Sequence, residues 1–309
     1  MPSSKLSSIE TAAEGSKQLQ PSLQEIEQWQ TCSDRLISDF YSGLATLPTY
    51  REITPDQMTE FETQTQACSD FPDLLKLVFK HMTRSGILTS GPGHMAFVPG
   101  GGLYSGAVSD HIAAAINAFS ADSFASPIAV KIHEDVIQFF CSMVGYDKHS
   151  WGDVTSGGSH ATLTAFWTAR ESRSIRAKDY ERTVAYLSEQ THHCCEKSLR
   201  ILFGSDLIIR KVPLSEHAMS SAALCTLIEQ DRASGLLPFL VVATAGTTNL
   251  GRIDPLDEIA NIAEKEGLWL HIDAAYGGFF LLCEELKPKF SGISRADSIV
   301  LDPHKGQRA

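Results

Sequence analysis

Two ionisable residues, each closing an apolar run, define the chemistry open to this sequence. Leu268-Trp-Leu-His-Ile-Asp273-Ala-Ala-Tyr-Gly-Gly278 delivers a carboxylate, and Ser298-Ile-Val-Leu-Asp-Pro-His-Lys305 delivers an amine. A buried carboxylate or amine is costly unless a partner compensates it. Taken alone, Asp273 reads as the cap of a turn or helix, and Lys305 reads as a solvated surface lysine. Together they suit pyridoxal phosphate (PLP), whose aldehyde takes a lysine as a Schiff base and whose ring nitrogen stays protonated beside an acid. An opposite charge within about 4–6 Å shifts a pKa by about 1–3 units, or about 1.4–4 kcal/mol. Held in a mostly apolar site, a lysine has a lowered pKa and attacks carbonyls. The small Ala274 and Ala275 suit a flat ring lying close to the backbone.

Other groups fit the same reading less specifically. Thr155-Ser-Gly-Gly-Ser159 opens a helical segment. Its glycines let backbone approach a phosphate, Ser159 can cap the helix, and a helix N-terminus favours an anion. A capped helix with a glycine turn is the plainer account. The run is neither a P-loop nor a G-x-G-x-x-G fingerprint. His192-His193-Cys194-Cys195 invites a metal, but adjacent residues on an extended chain point to opposite faces, so no metal site is expected. One imidazole stacked on a cofactor ring is the useful alternative to packed or solvated histidines.

The elements that must position these groups begin near residue 90. Apolar runs at 183–188, 207–212, 239–244, 269–273 and 297–301 alternate with helical patterns near 159–173, 217–234 and 255–267. This alternation predicts an α/β fold, a mostly parallel sheet covered on both faces. Helices are also expected over 110–119 and 128–144. In such a sheet, ligands bind beyond the carboxyl ends of the strands. There the sequence places His192, Thr247, Thr248, Asp273, His304 and Lys305. Residues 1–21 are polar and read as disordered. Residues 22–88 read as a helical arm with an apolar stripe that needs a partner surface, and residues 89–309 as the large domain.

Composition narrows the class. The 309 residues are 43% hydrophobic and 20% charged, ordinary for a globular protein. A formal charge of -11 with no basic cluster argues against nucleic acid. No secretory signal is visible, and no apolar run approaches the ~20 residues of a membrane span. Seven cysteines without a C-x-x-C pair suggest reduced thiols and a cytoplasmic protein.

Six pieces in order resemble the group II PLP-dependent decarboxylases, which include the aromatic-amino-acid, histidine, glutamate and cysteine-sulfinate enzymes. They are Thr155-Ser-Gly-Gly-Ser159, Ser188-Glu-Gln-Thr-His192, Ala243-Thr-Ala-Gly-Thr-Thr-Asn-Leu-Gly251, Ile253-Asp-Pro255, His271-Ile-Asp-Ala-Ala-Tyr-Gly277 and Asp302-Pro-His-Lys305. The resemblance implies the large domain of PLP-dependent transferase fold type I, and decarboxylation of an L-amino acid in a homodimer whose arm wraps its neighbour. It implies Lys305 as the Schiff-base lysine, Asp273 as the ring-nitrogen partner, Ala275 packed on the ring and His192 on its other face. Gly158 and Ser159 match the phosphate cradle, with His304 close to it, and Thr248 matches a threonine near the cofactor. Pro99 and its neighbours resemble the loop at the substrate entrance. His160 and His133 depart from the family pattern. The family continues well past the lysine, so the sequence reads as a truncated form lacking the C-terminal small domain, expected to be inactive alone. The alternatives are another fold-type-I reaction, an aminotransferase or desulfurase, and a non-catalytic fragment that dimerises with a full-length copy.

Overall fold

The structure is a computed structural model that describes residues 21–68, 70–94, 98 and 100–306. Pro99, Gln307 to Ala309 and residues 1–20 of the segment expected to be disordered lie outside the described residues. The chain divides into two compact units, residues 1–95 and 96–309.

The first unit contains α1 (Leu23–Gly43), β1 (Tyr50–Arg51), α2 (Pro55–Ala67), α3 (Phe71–Met82) and β2 (Gly86–Ile87). Each helix starts where a side chain satisfies its free amides. Ser22 and Glu25 form a capping box on α1, Thr54 and Gln57 form one on α2, and Asp70 caps α3. Trp29 packs on Phe71 at 4.7 Å between ring centres, and Phe40 on Phe79 at 6.0 Å. Within these helices Pro72 alone is buried. The antiparallel pairing of β1 with β2 was not expected, because two-residue strands carry too few residues to show a period.

The second unit is built on a five-stranded sheet of β3 (Thr183–Ser188), β4 (Ile208–Val212), β7 (Leu237–Thr244), β8 (Trp269–Ala274) and β9 (Ser298–Leu301). Their order is β4-β3-β7-β8-β9, and every pairing is parallel. A hairpin of β5 (Leu214–Ser215) and β6 (Ala218–Met219) stands apart from this sheet. The helices are α4 (Tyr104–Ile116), α5 (Pro127–Val144), α6 (Gly158–Ser172), α7 (His193–Phe203), α8 (Ser221–Ala233), α9 (Leu256–Glu266) and the short turn α10 (Pro303–Gly306).

Strand periodicity explains the two-sided core. Val184 and Tyr186 join one cluster with Leu224, Ile228, Ile259 and Ala263 of α8 and α9. Ala185 and Leu187 join the other with Phe166 of α6 and Leu199 and Phe203 of α7. Both faces of β3 are buried along its whole length, as a parallel sheet between helical layers requires. Each fully buried large aliphatic contributes about 1.5–3 kcal/mol.

Helix α4 begins at Tyr104, before the expected residue 110, helix α7 was not expected, and two further boundaries differ for local reasons. α4 stops at Ile116, not Phe119, because Asn117 turns into the left-handed region at φ 46° and its N–H bonds back to Ala113. α8 starts only at Ser221, after Ser220 caps it, because residues 218–219 are taken into β6. Val108, Ile112 and Ile116 on α4 are exposed at four-residue spacing, as are Ile128, Ile132 and Val136 on α5.

Candidate active site

Because every strand runs the same way, β3, β7, β8 and β9 end at one edge of the sheet. Register puts Thr244 beside Asp273, and Asp273 beside Val300. A cavity of about 120 Å³ opens at that edge. Of the residues singled out from sequence, Gly158, Ser159, His192, Thr248, Asp273, Ala275 and Lys305 all line it. His304 does not. It is exposed, and its backbone carbonyl accepts from the N–H of Gly100.

Asp273 points to the face covered by α6 and α7, because β8 alternates and Leu270, Ile272 and Ala274 face the other cluster. It is 7% exposed, and its Oδ1 accepts from Ala275 N–H at 3.2 Å. Burial pushes its carboxyl above the ordinary range, opposed by that hydrogen bond and by the charges of His192 and Lys305. Lys305 reaches the cavity from α10, and its Nζ lies 3.7 Å from Asp302 Oδ2. Asp302 also organises this turn by accepting from His304 N–H at 3.0 Å. His192 caps α7: its Nδ1 accepts from Cys194 N–H at 3.3 Å, which fixes the ring.

The glycine run behaves differently from its first reading. Gly157, not Ser159, is the N-cap of α6, at φ 152° and ψ 163°, a region essentially restricted to glycine. Ser159 lies inside the first turn and does not cap. The first-turn amides of Gly158 and Ser159 have no carbonyl within the helix to bond, which leaves them as donors for an anion. His160 is exposed, with Nδ1 3.3 Å from Ser156 Oγ, and His133 Nε2 lies 3.4 Å from Asp153 Oδ1.

The loop after β7 is closed on itself. Thr247 N–H donates to Arg252 O at 2.8 Å, and Thr247 Oγ1 accepts from Arg252 N–H at 3.1 Å. A Cβ on Gly246 would sit 3.0 Å from the backbone of Gly277, so two chains cross here with no room for a side chain. Asp254 anchors the loop, its two oxygens accepting from Met219 N–H and Thr244 N–H, each at 2.7 Å. Burial raises its carboxyl too, against those two bonds.

Sequence reasoning missed several lining residues. Gln190, Thr162, Thr244, Cys194 and Tyr276 also face the cavity. Gln190 Oε1 and Thr244 Oγ1 are buried without a hydrogen-bond partner among the described residues. Both lie inside the quoted motifs or at a strand's carboxyl end, the signal that could have found them. The extended-chain argument against a shared ligand set at 192–195 does not apply, because residues 193–203 are helical. Sulfur atoms of Cys194 and Cys195 and a carboxylate oxygen of Asp273 lie within 4.8 Å of one another. The Cys194 thiol is pulled down to about 6 by the hydrogen bond from Cys195 and by His192, despite burial, and Cys195 is pushed up.

This arrangement fits PLP. A buried carboxylate has one N–H donor and lacks a cation at ion-pair distance among the described residues. A lysine shares its cavity, two unpartnered buried oxygens face in, and helix amides stand ready for a phosphate.

Comparison with known proteins agrees. Residues 55–308 match the pyridoxal-dependent decarboxylase conserved domain. The chain is 35% identical over 293 residues to an aromatic-L-amino-acid decarboxylase of Bacillus atrophaeus, covering 94% of this chain and 61% of that protein. It is 29% identical to the aromatic-L-amino-acid decarboxylase of Mus musculus, covering 87% and 60%. The structure of Oryza sativa TDC with PLP and tryptamine superposes with a TM-score of 0.82 at 24% identity, covering 93% of this chain and 65% of that one. Mouse CSAD in apo form superposes at 0.78 with 25% identity, covering 89% and 62%. These solved structures share the expected fold. The chain spans about 60% of the length of the curated relatives it matches.

Proposed function

Since the chain belongs to the pyridoxal-dependent decarboxylase family, we propose that the whole protein removes carbon dioxide from an L-amino acid, with PLP held at the carboxyl edge of the sheet. The observation that carries this reading is the pairing of a buried, under-bonded Asp273 with Lys305 in one cavity. When bound, PLP supplies an electron-accepting ring for the bond that the departing carboxylate leaves behind.

The chain's own residues do the positioning. Lys305 would supply the amine that anchors the cofactor's aldehyde. Asp273 would hold a proton on the ring nitrogen, and its burial would strengthen the pairing. His192, fixed through Nδ1, would cover one ring face, and Ala275, with only a methyl group, would leave space at the other. The first-turn amides of α6, at Gly158 and Ser159, receive the phosphate. Thr248 lines the same cavity and would stand beside the cofactor, and His304 steadies the turn that carries Lys305 through its backbone bonds.

Aromatic amino acids are the substrate class to test first, because similar proteins carry that name. A second copy of the chain covers the exposed stripes on α4 and α5. A cytoplasmic site is supported by seven unbridged cysteines. No helix among the described residues is long and apolar enough to cross a membrane. Borohydride treatment of the PLP-loaded protein followed by peptide mapping should place the pyridoxyl group on Lys305, and aromatic L-amino acids should release carbon dioxide. A label on another lysine would sink the site, and a keto-acid product would replace decarboxylation with amine transfer.

A further inference from the structure

The cavity wall carries a second donor set, made of two thiols that the cofactor reading leaves unused and the carboxylate that it uses. Cys194 Sγ, Cys195 Sγ and an Asp273 oxygen lie mutually within 4.8 Å, and all three residues are buried. They come from two elements: adjacent positions in the first turn of α7, and the carboxyl end of β8. Cys194 and Asp273 also line the cavity, which gives a solute a route to the cluster and leaves space beside it for water. The other five cysteines belong to no comparable group among the described residues.

Two sulfurs and one carboxylate oxygen suit a zinc-class ion, which is bound tetrahedrally by such donors with a water in the remaining position. Zinc–sulfur and zinc–oxygen bonds of about 2.3 and 2.1 Å set tetrahedral ligand separations of about 3.6–3.8 Å. The cluster therefore needs to contract by about 1 Å at most, within reach of small side-chain adjustments. Among the described residues Asp273 has no cation at ion-pair distance, so an ion meets a need already present in the fold.

We propose that Cys194, Cys195 and Asp273 form a binding site for a zinc-class divalent ion, and that the ion and PLP exclude one another because both require the Asp273 carboxylate. Binding releases the thiol protons to solvent, so affinity rises with pH. The ion site rests on the three side chains alone, whereas the exclusion rests also on the cofactor reading. Zinc-class ions would then act on this protein as inhibitors that hold it in the cofactor-free state.

Cadmium is the probe, because its thiolate bonds give an ultraviolet charge-transfer band. Titration of the metal-stripped, cofactor-free protein should develop that band to one ion per chain. Cys194→Ser and Cys195→Ser should each remove most of it. Prior loading with PLP should prevent it, and cadmium should in turn lower PLP uptake, read from cofactor absorbance. An undiminished band in both serine variants would assign the ion to other cysteines and overturn the site. Full PLP occupancy together with a full band would overturn the exclusion. Should a variant fold poorly, cadmium NMR of the unaltered protein counts the thiolates directly: two are expected, and one or none overturns the site. Borohydride mapping of Lys305 in the metal-free protein reports separately on the cofactor reading.

Discussion

Asp231 and Asp273 are both buried carboxylates on the large sheet unit, in surroundings that differ in kind. Asp231, on α8, takes two N–H groups of Arg210, the shorter at 2.6 Å, and the Tyr186 hydroxyl at 3.0 Å. That set ties α8 to β3 and β4, and it leaves little capacity unused. Asp273 has one backbone N–H at 3.2 Å and a cavity in front of it. Evenly matched carboxylates hold a fold together. An under-matched one beside a cavity is a binding element waiting for a cation, and the family's cofactor brings one.

The largest expected effect tests the cavity side of this contrast. Asp273→Asn should lower turnover by about 10²-fold or more, the scale on which one preorganised charge acts, with PLP still partly retained through phosphate and lysine. Near-normal turnover would make Asp273 a structural cap. On the other side, Asp231→Ala should leave turnover chemistry intact while lowering folding stability by about 1–3 kcal/mol, because the buried Tyr186 hydroxyl loses its acceptor. A urea midpoint unchanged by that substitution would break the comparison from its structural end.

pH dependence sharpens it further. Burial holds the Asp273 carboxyl above its ordinary 3.8 in the cofactor-free protein. The folded state then binds more protons than the unfolded state as pH rises past 3.8, so wild type loses stability through that window until the raised folded pKa is passed. Asp273→Asn has no such loss. Its stability advantage should be absent in acid and grow as pH rises, by about 1.4 kcal/mol for each tenfold difference in proton affinity. Parallel stability curves for the two proteins would remove burial as the cause. The smallest effect belongs to Asp254, buried but matched by two N–H groups at 2.7 Å. Asp254→Asn should cost about 0.5–1.5 kcal/mol of stability by giving up one acceptor. A turnover loss equal to that of Asp273→Asn would erase the distinction between matched and under-matched carboxylates.

The sheet was legible because parallel strands buried on both faces are written as continuous apolar runs, and the ends of those runs mark the ligand edge. Asp273, Lys305, His192 and Thr248 were visible for that reason, and the cavity lining brings them together. What escaped had no local signature. Cys194 and Asp273 are 79 residues apart, and only the packing of α7 against β8 brings them near. Ser159 looked like a cap, but capping depends on backbone angles, and Gly157 takes the cap position nearer the N-terminus. Gln190 and Thr244 are identified by missing partners, a property of the folded state that no spacing encodes.

The chain order of the sheet sets a sequence of events in time. Gly158, Ser159 and His192, proposed to receive the cofactor, leave the ribosome well before Asp273 and Lys305. Domains form largely as units during synthesis. On the proposed reading, the pair that would hold the ring is complete only once β8 and the turn after β9 have joined the sheet. PLP therefore cannot nucleate the early strands, and Asp273 must enter the interior in its protonated form or bare. On that reading, cofactor capture is a late checkpoint, passed only by chains in which β9 has docked.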